Sequence, residues 1–182
     1  MTNRTQLLPI LLGPAVILLV PASAMLFRAE GWAWSLGDFV AAWVLLAGVG
    51  LTYKLVARPA RDPAYRLATA LGLAGGLALV WINGAVGLIG SEDNPANLLY
   101  GAVLAVGGLG ALAVRFRARG MARVLFVTGA VQLLVPVIAI VIRPDDFGPG
   151  PVRIFILNTM FALLFAGAGL LYRRAATSSG ES

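Results

Sequence analysis

The run MARVLFVTGAVQLLVPVIAIVI, Met121–Ile142, holds a single charge, Arg123, near its start. A helix of about 20 mostly apolar residues spans the hydrocarbon of a bilayer, so this stretch reads as a transmembrane span. Working outward from it, five further runs meet the same standard, at about 6–27, 37–57, 67–90, 98–114 and 152–172. The connections are too short to hold a soluble domain. The expected fold is all-α: one transmembrane domain over residues 1–182, an integral membrane bundle of six helices.

Composition agrees. Of 182 residues, 59% are hydrophobic and only 12% charged, with mean hydropathy +0.88. A soluble domain carries about a quarter charged residues. The lipid bilayer is therefore the first partner.

The charges are placed as in a membrane protein. Arg4, Lys54, Arg58, Arg61, Arg66, Arg115, Arg117, Arg119, Arg123, Arg173 and Arg174 fall at one set of span ends. Arg28, Arg143 and Arg153 fall at the other, with Glu30, Asp38, Glu92, Asp93, Asp145 and Asp146. Cytoplasmic loops are enriched in Lys and Arg, which predicts both termini in the cytoplasm. The same asymmetry accounts for the pI near 10.8 without nucleic acid, and it leaves the basic inner loops suited to anionic lipid headgroups.

Several chemistries are closed off. The chain has no Cys and no His, which removes disulfides, Cys/His zinc sites, haem on those ligands and His-based triads. No Asp, Glu, Lys or Arg falls near the middle of a span, where proton pumps and many ion-coupled carriers place one. No cofactor and no enzymatic activity are expected.

The richest candidate region is Asn83–Asn97, NGAVGLIGSEDNPAN, which closes the third span and opens the fourth. Gly84, Gly87 and Gly90 at intervals of three predict a small-residue stripe on one helix face, with Asn83 beside it. Glu92, Asp93, Asn94 and Asn97 gather carboxylate and amide oxygens, the donor set of hard cations, with Glu92 and Asp93 as the metal candidates. The alternative is structural: Asp93 or Asn94 caps the fourth helix, and Pro95 sits in its first turn. Asn83, Gln132 and Asn158 are polar groups inside spans. They either bond across helices or, in the case of Asn83 and Asn158, line an outward-facing polar vestibule.

Two organisational features accompany these. Ala47-Gly48-Val49-Gly50-Leu51 and Ala166-Gly167-Ala168-Gly169-Leu170 echo each other at the inner ends of spans two and six, with Gly108-Leu109-Gly110 in span four. Three pseudo-repeated hairpins would produce this, and so would chance in Ala/Gly/Leu-rich helices. Small residues such as Gly72 with Gly76, Gly101 with Ala105, Gly107, Gly108, Ala162 and Ala166 predict close helix packing and a face for a homo-oligomer or a membrane partner. Ala22-Ser23-Ala24 has the form of a signal-peptidase site, but its apolar run is long for a secretory signal. The first span is expected to stay.

Three segments together carry a resemblance: the Asn83–Asn97 stretch, Trp32-Ala33-Trp34-Ser35-Leu36-Gly37-Asp38-Phe39 and Arg117-Ala118-Arg119-Gly120-Met121-Ala122-Arg123. They resemble a group of small bacterial polytopic inner-membrane proteins of unassigned function. The Arg-for-Lys bias with abundant Ala and Gly also fits a GC-rich bacterial genome. The likeness implies a bacterial inner membrane and carries over no site residues. Two function classes follow. One is a small-solute or cation binding or transport-type protein with an outward-facing polar site at Asn83, Glu92, Asp93, Asn94, Asn97 and Asn158. The other is a non-catalytic accessory or structural subunit of a membrane complex.

Overall fold

The computed structural model describes residues 8–58, 60–91, 93–144 and 151–180, and every regular element among them is helical. In chain order these are α1 (Leu8–Leu26), α2 (Leu36–Val56), α3 (Pro63–Val86), α4 (Leu99–Ala113), α5 (Ala118–Ile142) and α6 (Pro151–Ser178), with one 3₁₀ turn, Pro95–Leu98, leading into α4. Six segments are long and apolar enough to cross a membrane. The chain is a multi-pass helical membrane protein.

Local chemistry sets the helix starts. Ser35 and Asp38 cap α2 reciprocally: the Ser35 backbone N–H and hydroxyl donate to Asp38 Oδ2 at 2.7 and 2.8 Å, and Asp38 N–H returns to Ser35 Oγ at 3.2 Å. This is a capping box with Asp in place of Glu. Asp62 begins α3 earlier than its apolar run suggests, because its Oδ1 accepts from Ala64 N–H at 2.6 Å and Pro63 suits the first turn. At the far end α3 stops at Val86, since Gly87 turns the chain at φ +68°. The glycine stripe expected from Gly84, Gly87 and Gly90 is thereby broken: Gly87 and Gly90 both have positive φ and belong to the turn.

The chain forms two compact units, Met1–Leu55 and Val56–Ser182. In the first, the Trp43 indole N–H on α2 donates to the Leu11 carbonyl on α1 at 3.2 Å. Gly50 leaves room for Ile10, whose Cγ2 lies 3.4 Å from where a Cβ would stand. Trp32, Trp34 and Phe39 cluster at the turn, with ring centroids 6.1 and 5.3 Å apart.

In the second unit α6 packs against both α5 and α3, and α5 also packs against α4. Close approach is made by particular glycines. A Cβ on Gly129 would stand 3.1 Å from the Ala162 carbonyl oxygen, and one on Gly169 would stand 3.2 Å from that of Ala122. The α5 and α6 backbones therefore nearly touch, the arrangement that yields packing energy in lipid. Gly75 does the same for the Phe165 ring between α3 and α6. Gly101 and Gly108, also expected to pack, have nothing within 4 Å.

At the Arg-rich end, Tyr172 is buried and its ring meets Tyr65 edge-on at 4.9 Å. Tyr172 Oη shares a 2.7 Å hydrogen bond with Thr69, while Tyr65 Oη donates to the Phe116 carbonyl at 2.6 Å. That bond anchors the α4–α5 turn, where Arg115 and Phe116 hold positive φ of 51° and 56°. Side chains in that region cost about 1–2 kcal/mol each, so the turn needs such an anchor.

Candidate functional site

The α3–α4 turn is built around one side chain. Asn97 is buried, and its Oδ1 accepts from the N–H groups of Leu88 and Ile89 at 3.1 and 2.9 Å. Its Nδ2 donates to the carbonyls of Ile89 and Ser91 at 3.2 and 2.7 Å. Both donors and both acceptor lone pairs of the amide are thus engaged. The backbone of Asn97 is held as well, its N–H by the Asn94 carbonyl at 2.9 Å and its own carbonyl by Asn83 Nδ2 at 3.3 Å.

The turn folds inward. Leu88 is 4% and Ile89 0% exposed, so their backbone groups have no water to fall back on and need the Asn97 amide. Gly87 is required there: a Cβ would collide with the Ser91 carbonyl oxygen and lie 2.8 Å from Asn97 Nδ2. Asn94 caps the 3₁₀ turn, its Oδ1 accepting from Ala96 N–H at 2.9 Å, with Pro95 next.

Deeper in the same unit lies a second polar group. Asn158 on α6 accepts from Gln132 Nε2 on α5 at 3.0 Å and donates to Tyr100 Oη on α4 at 3.0 Å and to the Ile154 carbonyl at 2.8 Å. One amide thereby ties three helices together. Gln132 and Asn158 are fully buried and Tyr100 nearly so. Two buried acceptors, Gln132 Oε1 and Asn83 Oδ1, have no hydrogen-bond partner among the described residues.

The sequence candidates therefore separate. Asn83, Asn94 and Asn97 come together in the turn, whereas Asn158 bonds to Gln132 and Tyr100. Asp93 is exposed, and Glu92, its proposed companion in cation binding, lies outside the described residues. Among the described residues no three His, Cys, Asp or Glu side chains stand close enough to hold a metal ion. Tyr100 was not singled out from sequence, because a tyrosine at the third residue of a span normally reads as an interfacial anchor. No family model, curated protein or solved structure matches the chain.

Proposed function

We infer that this chain is a non-catalytic accessory or structural subunit of a membrane complex, set in a bacterial inner membrane with both termini cytoplasmic. The observation that carries the reading is the fate of the amides that would recognise a ligand. Asn97 engages all its polar capacity on the chain's own turn, Asn94 caps a helix, and Asn158 clamps α4, α5 and α6. A ligand site keeps such groups facing a cavity; here they hold helices and turns. The excess of Arg at one set of helix ends supports the orientation, and the absence of His and Cys from the sequence supports a non-enzymatic role.

A second reading, a small-solute or cation binding or transport-type protein, is favoured by one observation. The buried Asn83 and Gln132 oxygens retain acceptor capacity, and Asn83 adjoins the turn that carries Glu92 and Asp93. Thermal unfolding of the detergent-purified chain separates the two. Ca²⁺, Mg²⁺, Mn²⁺ or no divalent ion is added to wild type and to the Glu92→Gln/Asp93→Asn variant. A ligand that binds only the folded state raises the midpoint by mass action. The accessory reading expects no cation response and equal behaviour of the two proteins. It also expects crosslinking in cells to join the chain stoichiometrically to one membrane protein. A cation-specific rise that disappears in the variant would overturn it in favour of the second reading.

A further inference from the structure

Where the first turns of α5 meet the last turns of α6, a cleft of about 420 Å³ opens, lined by Arg119, Arg123 and Arg173 over a floor of Ala122 and Phe126. We propose that this cleft binds the phosphate of an anionic phospholipid headgroup. The proposal requires only that the chain spans a membrane and is independent of the subunit reading above.

Four features carry it. Arg119 and Arg123 stand one turn apart on α5 and Arg173 lines the same cleft from α6, so two helices bring three arginines to one cleft. Planar guanidinium forks match phosphate oxygens bidentately, better than an ammonium does. Neither helix contains an acidic residue, so the formal charge that α5 and α6 bring to the cleft is wholly positive. The cleft also has a fixed bottom: just deeper than Arg173, Gly169 brings α6 against the Ala122 carbonyl and within 3.3 Å of the Phe126 ring, measured from where its Cβ would stand. Finally, α5 begins at Arg117 without a side-chain cap, so the positive end of its dipole adds to the attraction.

The surroundings favour a lipid over a free anion. Val127, one turn deeper than Arg123, and Leu170, one turn deeper than Arg173, are each 52% exposed. They continue the cleft as an apolar surface along which acyl chains can lie, while the Arg cluster sits at the helix ends where headgroups are. The chain's own tail is the rival occupant. Gly180 lines the cleft, and Glu181 follows it in sequence, outside the described residues.

The test is a thermal-midpoint titration of the full chain in neutral detergent with phosphatidylglycerol, phosphatidylcholine or inorganic phosphate at matched phosphate concentration. Phosphatidylglycerol is expected to give a saturating rise and the other two none. Arg123→Gln/Arg173→Gln is expected to weaken the apparent affinity about tenfold, the effect of losing roughly 1.4 kcal/mol. Arg61→Gln/Arg66→Gln, an equal change of charge at residues that do not line the cleft, is expected to leave it within about twofold. Should the glutamine variant fail to fold, Arg123→Lys/Arg173→Lys keeps the charge and is still expected to bind measurably more weakly. Equal losses in the cleft and control variants would overturn the proposal. So would a rise with inorganic phosphate alone, or a lipid response that appears only in Glu181→Gln, which would give the cleft to the tail.

Discussion

The two hairpins α1–α2 and α3–α4 are held by opposite means. The connection of α3–α4 turns inward, with Leu88 and Ile89 buried, and a single asparagine satisfies four of its polar atoms. The connection of α1–α2 lies at the surface: Phe27 and Leu36 are each about 80% exposed, and its polar bonds include a short-range Ser35–Asp38 cap and backbone bonds that close the end of α1. Between its helices the Trp43 indole N–H reaches the Leu11 carbonyl. The difference teaches where polar side chains matter in a chain this apolar. A turn in contact with water can leave its backbone to the solvent. A turn tucked into the bundle must bring its own partners, since each unsatisfied buried group costs about 1–3 kcal/mol.

The sharpest way to break this comparison is Asn97→Ala. It leaves the buried Leu88 and Ile89 N–H groups and the Ile89 carbonyl without the amide that satisfied them, while the Ser91 carbonyl keeps its bond from Asn94 N–H, and a loss of about 3 kcal/mol is expected from the penalty per group. The measurement is reversible unfolding in mixed micelles with increasing denaturing detergent, followed by helical circular dichroism. Asn97→Asp refines it: a carboxylate still accepts from Leu88 and Ile89 but donates nothing to Ile89 and Ser91, so an intermediate loss is expected. If Asn97→Ala cost no more than removal of a single exposed bond, the inward turn would not depend on its asparagine.

A smaller effect is expected one layer deeper. Asn158→Leu unties α4, α5 and α6 and leaves Gln132 Nε2 unpartnered, with an expected cost of about 1–2 kcal/mol on the scale of hydrogen bonds between membrane helices. Gln132→Leu removes the same α5–α6 bond but also removes an acceptor that already lacks a partner. It is expected to cost clearly less than Asn158→Leu in the same unfolding assay. Equal costs would mean that Gln132 Oε1 has a partner, such as a bound water or solute, and would strengthen the ligand-binding reading.

The sequence disclosed some of this and hid the rest for physical reasons. The spans were legible because lipid demands about 20 apolar residues at each crossing, and every expected span falls on a helical segment long enough to cross, the fourth by joining the 3₁₀ turn to α4. A cap by Asn94 with Pro95 was legible because it is local chemistry within three residues, although it closes the 3₁₀ turn, and α4 itself starts after Leu98 without a side-chain cap. Asn97 was visible as a polar residue, but its task depends on a chain reversal at Gly87 that places residues eight and nine positions back around its amide. The expected glycine stripe failed at the same point, since helical spacing has no meaning beyond a helix end. Gly129 and Gly169 were no more conspicuous than Gly101 and Gly108, and only the packing separates the first pair from the second. The Arg cleft combines residues about fifty positions apart, while topology alone was enough to explain each charge separately.

The smallest expected effect belongs to the other hairpin. Trp43→Phe keeps most of the aromatic surface and removes the one indole donor to Leu11. The freed carbonyl is in α1, where the N–H four residues on, that of Ala15, remains its helical donor, so the loss is confined to the bond between the two helices. A cost of about 0.6 kcal/mol, the average for hydrogen bonds between membrane helices, is expected. The decisive quantity is its ratio to Asn97→Ala under the same conditions. A ratio near one-fifth sustains the contrast between an inward turn fastened by an amide and a surface turn whose helices are joined lightly. A cost for Trp43→Phe as large as that for Asn97→Ala would show that the α1–α2 hairpin depends on the Trp43 bond as fully as the α3–α4 turn depends on the Asn97 amide.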